Sequence, residues 1–222
     1  SVFPDHLIID IDCNFITKES LDELYHFSVA NHPEKKNRLE KIESLTQAGM
    51  IGEITFDDSL SQRMALVDAD RRDVEFVTSQ LMDAITPSFA KQIEFLQKHK
   101  ENVWIISGGF REMIIPIVSS FGISPNHVYA NDFIYGEDKK ILGVDSENLM
   151  AQAGGKVIQV NTMGLEGEIH VIGDGFTDYE LKAKGPANRF FAFTENVRRD
   201  NVCELADSIL KSFNDYVRLV RD

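Results

Sequence analysis

The chain has 222 residues, of which 43% are hydrophobic and 27% charged, and its formal net charge is −13. No stretch approaches the roughly 20 consecutive apolar residues that a membrane-spanning helix needs. A surface this acidic repels nucleic acid and anionic membranes, so we expect neither as a partner. Cys13 and Cys203 form neither a disulfide framework nor a zinc motif. They predict a reducing, cytoplasmic location, and we see no signal peptide.

The predicted elements begin with a short apolar run at residues 7–11, which is typical of a buried parallel strand. Over residues 17–85 apolar side chains recur at helical spacing instead, which predicts a mostly helical insertion. The next helix is predicted at residues 86–100, because Thr and Pro stand at its start. We therefore predict a catalytic core of residues 1–16 and 86–222, with residues 17–85 as a helical cap inserted after the first strand.

Beyond residue 100, strand-like and helix-like segments alternate. Buried strands are predicted at residues 103–106, 128–130, 169–172 and 190–193, a hairpin at 133–144, and helices at 110–121, 155–163, 179–184 and from 202 onward. This alternation predicts a Rossmann-like, doubly wound α/β fold, with a parallel sheet and helices on both faces. In such folds the ligand site lies at the carboxyl ends of the strands.

Three predicted strands end in polar or glycine-rich segments. These segments are Asp10-Ile11-Asp12, Ser107-Gly108-Gly109, and Gly173-Asp174-Gly175 with Asp178. Because parallel strands emerge at one edge of a sheet, we expect their tips to converge. The Asp10 and Asp174 carboxylates suit a hard cation such as Mg²⁺, and the glycines let backbone amides approach a phosphate. Lys156 would neutralise the phosphoryl oxygens. The pattern predicts a site for a phosphoryl group held with Mg²⁺.

This set resembles the four motifs of the haloacid dehalogenase-type phosphatases, in the right order and over nearly the whole chain. Asp10-x-Asp12 resembles motif I, Ser107 motif II, Lys156 motif III, and Gly173-Asp174-Gly175-x-x-Asp178 motif IV. The resemblance implies that Asp10 attacks phosphorus and becomes an aspartyl-phosphate, while Asp12 is the general acid and then the general base. It also implies that Ser107 and Lys156 hold the transferring oxygens, and that Mg²⁺ is bound by Asp10, Asp12, Asp174 and Asp178.

Within that superfamily the chain is similar to the phosphoserine phosphatases. Glu19 stands where that family has a glutamate that contacts the substrate amine, and Met50, Phe56 and Arg63 follow at the family's spacing. The resemblance implies a small phosphate ester as the substrate, with L-phosphoserine favoured. Its amine would pair with Glu19 and its carboxylate with Arg63, under a cap that Phe56 closes. The implied substrate-binding residues are Glu19, Met50, Phe56, Arg63, Ser107, Gly108 and Thr177.

The chain departs from this pattern at three places. Cys13-Asn14 stands where the family usually has Ser-Thr, Thr177 where it usually has Asn, and Lys156 follows two glycines where many relatives have Lys-Gly. Two alternatives therefore stay open: a phosphatase for another small phosphorylated metabolite, and a degenerate relative that binds substrate without turnover. A signalling protein phosphorylated on Asp10 is disfavoured, because receiver domains lack a counterpart of Asp12 and the long insertion. The sequence also leaves open whether the protein is a homodimer.

Overall fold

Within residues 2–221, which the computed structural model describes, six parallel strands form one sheet in the order β3-β2-β1-β6-β7-β8. A separate antiparallel hairpin, β4-β5, lies between β3 and β6 in the chain. The strands are β1 (His6–Ile9), β2 (Val103–Phe110), β3 (Val128–Asn131), β4 (Phe133–Tyr135), β5 (Ile141–Val144), β6 (Ile169–Gly173), β7 (Arg189–Phe193) and β8 (Ser208–Leu210).

The helices fall into an inserted group before β2 and a group that follows the strands of the sheet. The inserted helices are α1 (Ser20–Ser28), α2 (Lys35–Met50), α3 (Phe56–Met64) and α4 (Arg71–Leu81). The others are α5 (Pro87–Lys91), α6 (Ile93–Lys98), α7 (Arg111–Ser119), α8 (Gly155–Met163), α9 (Phe176–Ala183), α10 (Asp200–Cys203) and α11 (Phe213–Val220). None of the helices in the described chain is long and apolar enough to cross a membrane.

The strand order reverses at β1, which pairs with β2 on one side and β6 on the other. From β1 the chain builds outward to β2 and β3, then returns across the sheet to β6, β7 and β8. This is the doubly wound arrangement, in which the crevice at the reversal point is the usual ligand site. The predicted fold class is therefore confirmed, and the residues that follow β1 and β6 lie at the edge where a ligand is expected.

Successive side chains of the central strands enter opposite hydrophobic cores. Leu7 and Ile9 pack with α1, α4, α7 and α11, whereas Ile8 packs with α8, α9 and α10. Alternate residues of a strand point to opposite faces, so a sheet covered on both faces needs apolar residues throughout. This requirement explains the uninterrupted apolar runs that the sequence shows at β1, β6 and β7.

The two ends of the inserted segment meet beside the sheet. Ile16 and Ile85 form an antiparallel bridge, and the amide of Thr86 donates to the Phe15 carbonyl at 2.9 Å. The insertion also contacts the core through α1 against β2 and α4 against α7. The division into a core of residues 1–16 and 86–222 and a cap of residues 17–85 stays a prediction.

Four secondary-structure predictions differ from the structure. The strand predicted at 103–106 extends to Phe110, so Ser107, Gly108 and Gly109 lie within β2 and not after it. The first strand ends at Ile9 rather than residue 11, because the amide of Ile16 bonds the Ile11 carbonyl and closes a π-helical turn over Ile11–Phe15. The helix predicted at 86–100 is divided at Gln92, whose φ and ψ are −106° and 26°. The predicted C-terminal helix contains β8, an edge strand on β7 that is only three residues long and leaves no alternating pattern.

His170 links the sheet to α11 and leads to a prediction about stability. It is 1% exposed, and its ring nitrogens lie 2.9 Å from the Tyr216 hydroxyl and from a Glu168 carboxylate oxygen. Burial lowers the pKa of His170 from its usual 6.5, although Glu168 opposes the change. A folded-state pKa below the unfolded value means that stability is present above pH 6.5 and is lost as pH falls.

We therefore expect the free energy of unfolding of the wild type to fall more steeply between pH 7.5 and 5.5 than that of His170→Gln. The difference is at most about 1.4 kcal/mol, because this pH range ends one unit below the unfolded-state pKa of 6.5. Urea unfolding at pH 7.5 and at pH 5.5 measures this difference. Subtracting the change in the variant from the change in the wild type removes the contribution of the other titrating groups. Parallel pH dependences in the two proteins would contradict the prediction.

Candidate active site

Asp10 emerges from β1 at the centre of the sheet edge and directly precedes the π-helical turn of Ile11–Phe15. Its carboxylate accepts from the Ile11 amide at 2.7 Å, and its own amide donates to the Ile172 carbonyl at 3.1 Å. Cys13, within the turn, has a left-handed φ of +61°. The turn folds the chain back at once, so Asp12 and Asn14 stay beside Asp10 instead of following the strand direction.

Three buried carboxylates form the centre of the site. Asp10, Asp174 and Asp178 are 5%, 3% and 1% exposed, and one ligand oxygen of each lies within 4.8 Å of the others. A cluster of hard oxygen donors at this spacing is the type that binds Mg²⁺ or a similar divalent cation. The residues present therefore fit the metal that the motifs imply. The Asp12 carboxylate, which we also expected as a metal ligand, is not part of this three-carboxylate cluster.

Lys156 extends into this cluster from the first turn of α8. Its Nζ donates to Asp10 Oδ2 at 2.9 Å and to Asp178 Oδ1 at 2.7 Å. Burial alone would lower the pKa of Lys156, but the Asp10 and Asp178 carboxylates outweigh it and raise the pKa. Lys156 is thus a fixed positive charge beside Asp10, in the place predicted for motif III despite the two glycines before it.

The Asp12 carboxyl is separate from the three-carboxylate cluster and has a different character. Its Oδ1 accepts from the Ser20 amide at 3.1 Å, which directs it toward the start of α1. Burial and the negative charge of Asp10 raise the pKa of Asp12 to about 7. A carboxyl group with a pKa near neutrality can hold a proton and release it, which is the requirement for a general acid and base.

The inserted helices and the strand edge enclose one pocket above these carboxylates. It is lined by Asp10, Asp12, Glu19, Leu21, Met50, Phe56, Arg63, Gly108, Gly109, Lys156 and Thr177. The structure therefore brings together most of the predicted catalytic and substrate-binding residues. The Phe56 ring lies against Gly108, where an added Cβ would come within 2.6 Å of the ring. Glycine is needed at position 108 for this close approach.

Two ionisable side chains, Glu19 and Arg63, line this pocket. Arg63 is 4% exposed and its Nε donates to the Ser59 carbonyl at 3.3 Å. No carboxylate in the described part of the chain forms a salt bridge with it. Burial raises the pKa of Glu19, and the negative charges of Asp12, Asp174 and Asp22 raise it further. The positive charge of Arg63 opposes this increase. The pair can bind a small molecule that carries both an amine and a carboxylate.

Ser107 is placed differently from the other predicted residues. It is fully buried, its Oγ accepts from the Gly109 amide at 3.0 Å, and it is absent from the pocket lining. In this arrangement its hydroxyl bonds within β2, at the irregularity in strand pairing between Ile106 and Phe110. A contact between Ser107 and a phosphoryl oxygen stays a prediction.

Asn14, one of the departures from the family pattern, connects two motifs. Its Nδ2 donates to the Asp12 carbonyl at 2.9 Å and to Asp174 Oδ1 at 2.8 Å. Cys13 Sγ lies 3.4 Å from Glu19 Oε1, and burial and the nearby carboxylates raise the pKa of the Cys13 thiol, so it stays protonated. Both replacements therefore support the site through hydrogen bonds.

Sequence reasoning missed Arg199 and its partner Gln47. Arg199 Nε donates to Asp174 Oδ2 at 3.0 Å, and its Nη1 bonds Gln47 Oε1 on α2. Arg199 follows β7, so the rule that strand ends converge places it at the correct edge of the sheet. Only the distance to Asp174 distinguishes it from the neighbouring Arg198, which is exposed.

No protein-family model matches the chain. Phosphoserine phosphatase from Bos taurus is 29% identical over 216 residues, which cover 94% of this chain and 90% of that protein. The solved structure of a phosphoserine phosphohydrolase-like protein from Francisella tularensis is 27% identical, covers 97% of this chain and 99% of its own, and superimposes with a TM-score of 0.88. A phospho-aspartyl intermediate analogue of phosphoserine phosphatase, 22% identical with a TM-score of 0.76 over 97% of this chain, shares the fold. The similarity includes both the insertion and the core.

Proposed function

We propose that this chain, whose sequence and fold resemble those of the haloacid dehalogenase-type phosphoserine phosphatases, hydrolyses L-phosphoserine to serine and phosphate. The observation that carries the proposal is the single pocket in which the Asp10 and Asp12 carboxylates and Lys156 meet Glu19, Phe56 and Arg63. This pocket places side chains suited to phosphoryl transfer next to side chains suited to recognising an amino acid.

Asp10 is the nucleophile of the proposed mechanism. Its carboxylate attacks phosphorus, the bond from phosphorus to the serine oxygen breaks, and an aspartyl-phosphate forms on Asp10. Lys156, which lies 2.9 Å from Asp10 Oδ2, holds Asp10 in place and offsets charge on the transferring oxygens. A Mg²⁺ ion held by Asp10, Asp174 and Asp178 would supply further charge neutralisation between two anions.

Asp12 transfers the proton in both halves of the reaction. With a pKa near 7 it is partly protonated at neutral pH and gives its proton to the departing serine oxygen. The carboxylate left behind then takes a proton from the water that attacks the aspartyl-phosphate. The hydrogen bond that Asp12 Oδ1 accepts from the Ser20 amide fixes the orientation of this carboxyl group.

Glu19 and Arg63 select the substrate. The Arg63 guanidinium binds the carboxylate of phosphoserine, and Glu19 binds the amine. Phe56 covers the pocket on the side of Gly108 and excludes water from the reacting groups. The helical cap carries Met50, Phe56 and Arg63, so it opens for exchange and closes for chemistry.

The test is phosphate release from L-phosphoserine beside a panel of other phosphomonoesters, with Mg²⁺ and with chelator. Mg²⁺-dependent turnover that prefers phosphoserine supports the proposal. A preference for another ester would support the proposed phosphatase mechanism but identify a substrate other than phosphoserine. Tight phosphoserine binding without turnover would instead indicate a degenerate binding protein.

We also propose a cytoplasmic enzyme, on the support of the two free cysteines, Cys13 and Cys203. A homodimer stays a prediction that analytical ultracentrifugation tests.

A further inference from the structure

Arg199 is a buried cation beside the carboxylate cluster and belongs to none of the four motifs. It is 6% exposed, and its Nε donates to Asp174 Oδ2 at 3.0 Å while Asn14 donates to Oδ1 at 2.8 Å. Both oxygens of Asp174 therefore have protein partners. Arg199 is the positively charged partner of Asp174, as Lys156 is the positively charged partner of Asp10 and Asp178.

The cluster needs these cations because its carboxylates are shielded from water. A buried carboxylate without a compensating charge is strongly destabilising. Lys156 serves Asp10 and Asp178 through bonds of 2.9 and 2.7 Å, and Asp174 depends on Arg199. Arg199 thus holds Asp174 in position and offsets its negative charge when no metal is bound. The same positive charge repels a divalent cation that arrives at the cluster.

We propose that Arg199 is a positioning residue that supplies the positive charge beside Asp174 when no metal is bound. The metal then binds despite electrostatic repulsion from Arg199. Arg199 stabilises the metal-free site and lowers the affinity of the site for Mg²⁺. The inference rests on the metal dependence in the proposed function, but it concerns metal binding itself and is measured without substrate.

Arg199 also contacts the inserted helices, which provides a matched control. Its Nη1 bonds Gln47 Oε1 on α2, and its Nη2 lies 4.0 Å from Glu19 Oε1. Gln47→Ala removes the contact with α2 and leaves the pair with Asp174 intact. Arg199→Lys keeps the charge, and Arg199→Gln removes the charge but keeps an amide that can donate to Asp174.

The first measurement is Mg²⁺ binding to the full chain by isothermal titration calorimetry. We expect the dissociation constant of Arg199→Gln to fall by about 3- to 10-fold, because the repelling charge is gone. Arg199→Lys and Gln47→Ala are expected to stay within about twofold of the wild type, since both keep the charge. Unchanged or weaker binding by Arg199→Gln would overturn the proposal, because a purely structural arginine does not oppose the metal.

The second measurement is thermal unfolding in chelator and in saturating Mg²⁺. We expect Arg199→Gln to lower the Tm by about 5 °C in chelator and to recover most of this loss in Mg²⁺. An equal loss in both conditions, or a variant that stays unfolded even with Mg²⁺, would show that Arg199 serves the fold independently of the metal. Phosphate release tests the proposed function separately, so shifted Mg²⁺ binding without turnover would uphold this inference alone.

Discussion

Asp10→Asn is expected to abolish phosphate release from phosphoserine, with a fall in kcat of at least about 10⁴-fold. An amide cannot attack phosphorus as a carboxylate does, and Lys156 and the metal lose a charged partner with the change. Phosphate release measures the loss, and mass spectrometry after acid quenching tests for a phosphorylated protein. We expect the wild type, and not Asp10→Asn, to gain one phosphoryl group.

Asp12→Asn is the matched control, because it changes the neighbouring carboxyl and keeps the nucleophile. Loss of the general acid is expected to lower kcat for phosphoserine by about 10²- to 10⁴-fold. For p-nitrophenyl phosphate, whose leaving group needs no proton, formation of the phosphoenzyme should survive. Normal turnover by Asp10→Asn would exclude the covalent mechanism.

Arg63→Ala is expected to raise the KM for phosphoserine by about 10- to 100-fold. Loss of a charge-assisted hydrogen bond in a buried pocket costs about 1.5–3 kcal/mol, and Arg63 is 4% exposed with its guanidinium at the pocket wall. The KM for p-nitrophenyl phosphate, which has neither amine nor carboxylate, should change little. Steady-state kinetics on both substrates separates recognition of the amino acid from the chemistry.

Two further variants complete this comparison. Glu19→Gln should also raise the KM for phosphoserine selectively, because it weakens the bond to the substrate amine. Arg72→Ala, which removes an exposed arginine from α4 of the same insertion, should leave both substrates unaffected. Equal effects of Arg63→Ala on both substrates would indicate that Arg63 stabilises the insertion rather than binding the carboxylate.

The buried charges explain why this site is ready for chemistry before substrate arrives. Lys156 bonds Asp10 and Asp178, and Arg199 bonds Asp174, so the carboxylates are already oriented. Within residues 2–221, no salt bridge joins Asp12 to a cation, and burial and the charge of Asp10 raise the pKa of Asp12 to about 7. Neighbouring carboxylates with different partners can therefore act as nucleophile and as acid in one small space.

The amino-acid sequence was sufficient to predict the architecture and most of the residues that line the pocket. Apolar runs with β-branched residues predict buried strands because a sheet covered on both faces needs them. Polar segments at the ends of β1 and β6 then predict the site, since parallel strands emerge at one edge. Asp10 and Asp174 were identified in this way, whereas Lys156 was identified by its resemblance to motif III. Helix α8, which carries Lys156, was predicted with its observed bounds at Gly155–Met163.

The side chains that surround these motifs could be identified only from contacts in the folded chain. Arg199 looks like its neighbour Arg198 in the sequence, and only its 3.0 Å contact with Asp174 shows that it is part of the site. Asn14 appears as a departure from a family pattern until its amide is seen to bridge Asp12 and Asp174. The edge strand β8 depends on pairing with β7. These features arise from contacts between residues far apart in the chain, and such contacts leave no local periodicity or spacing in the sequence.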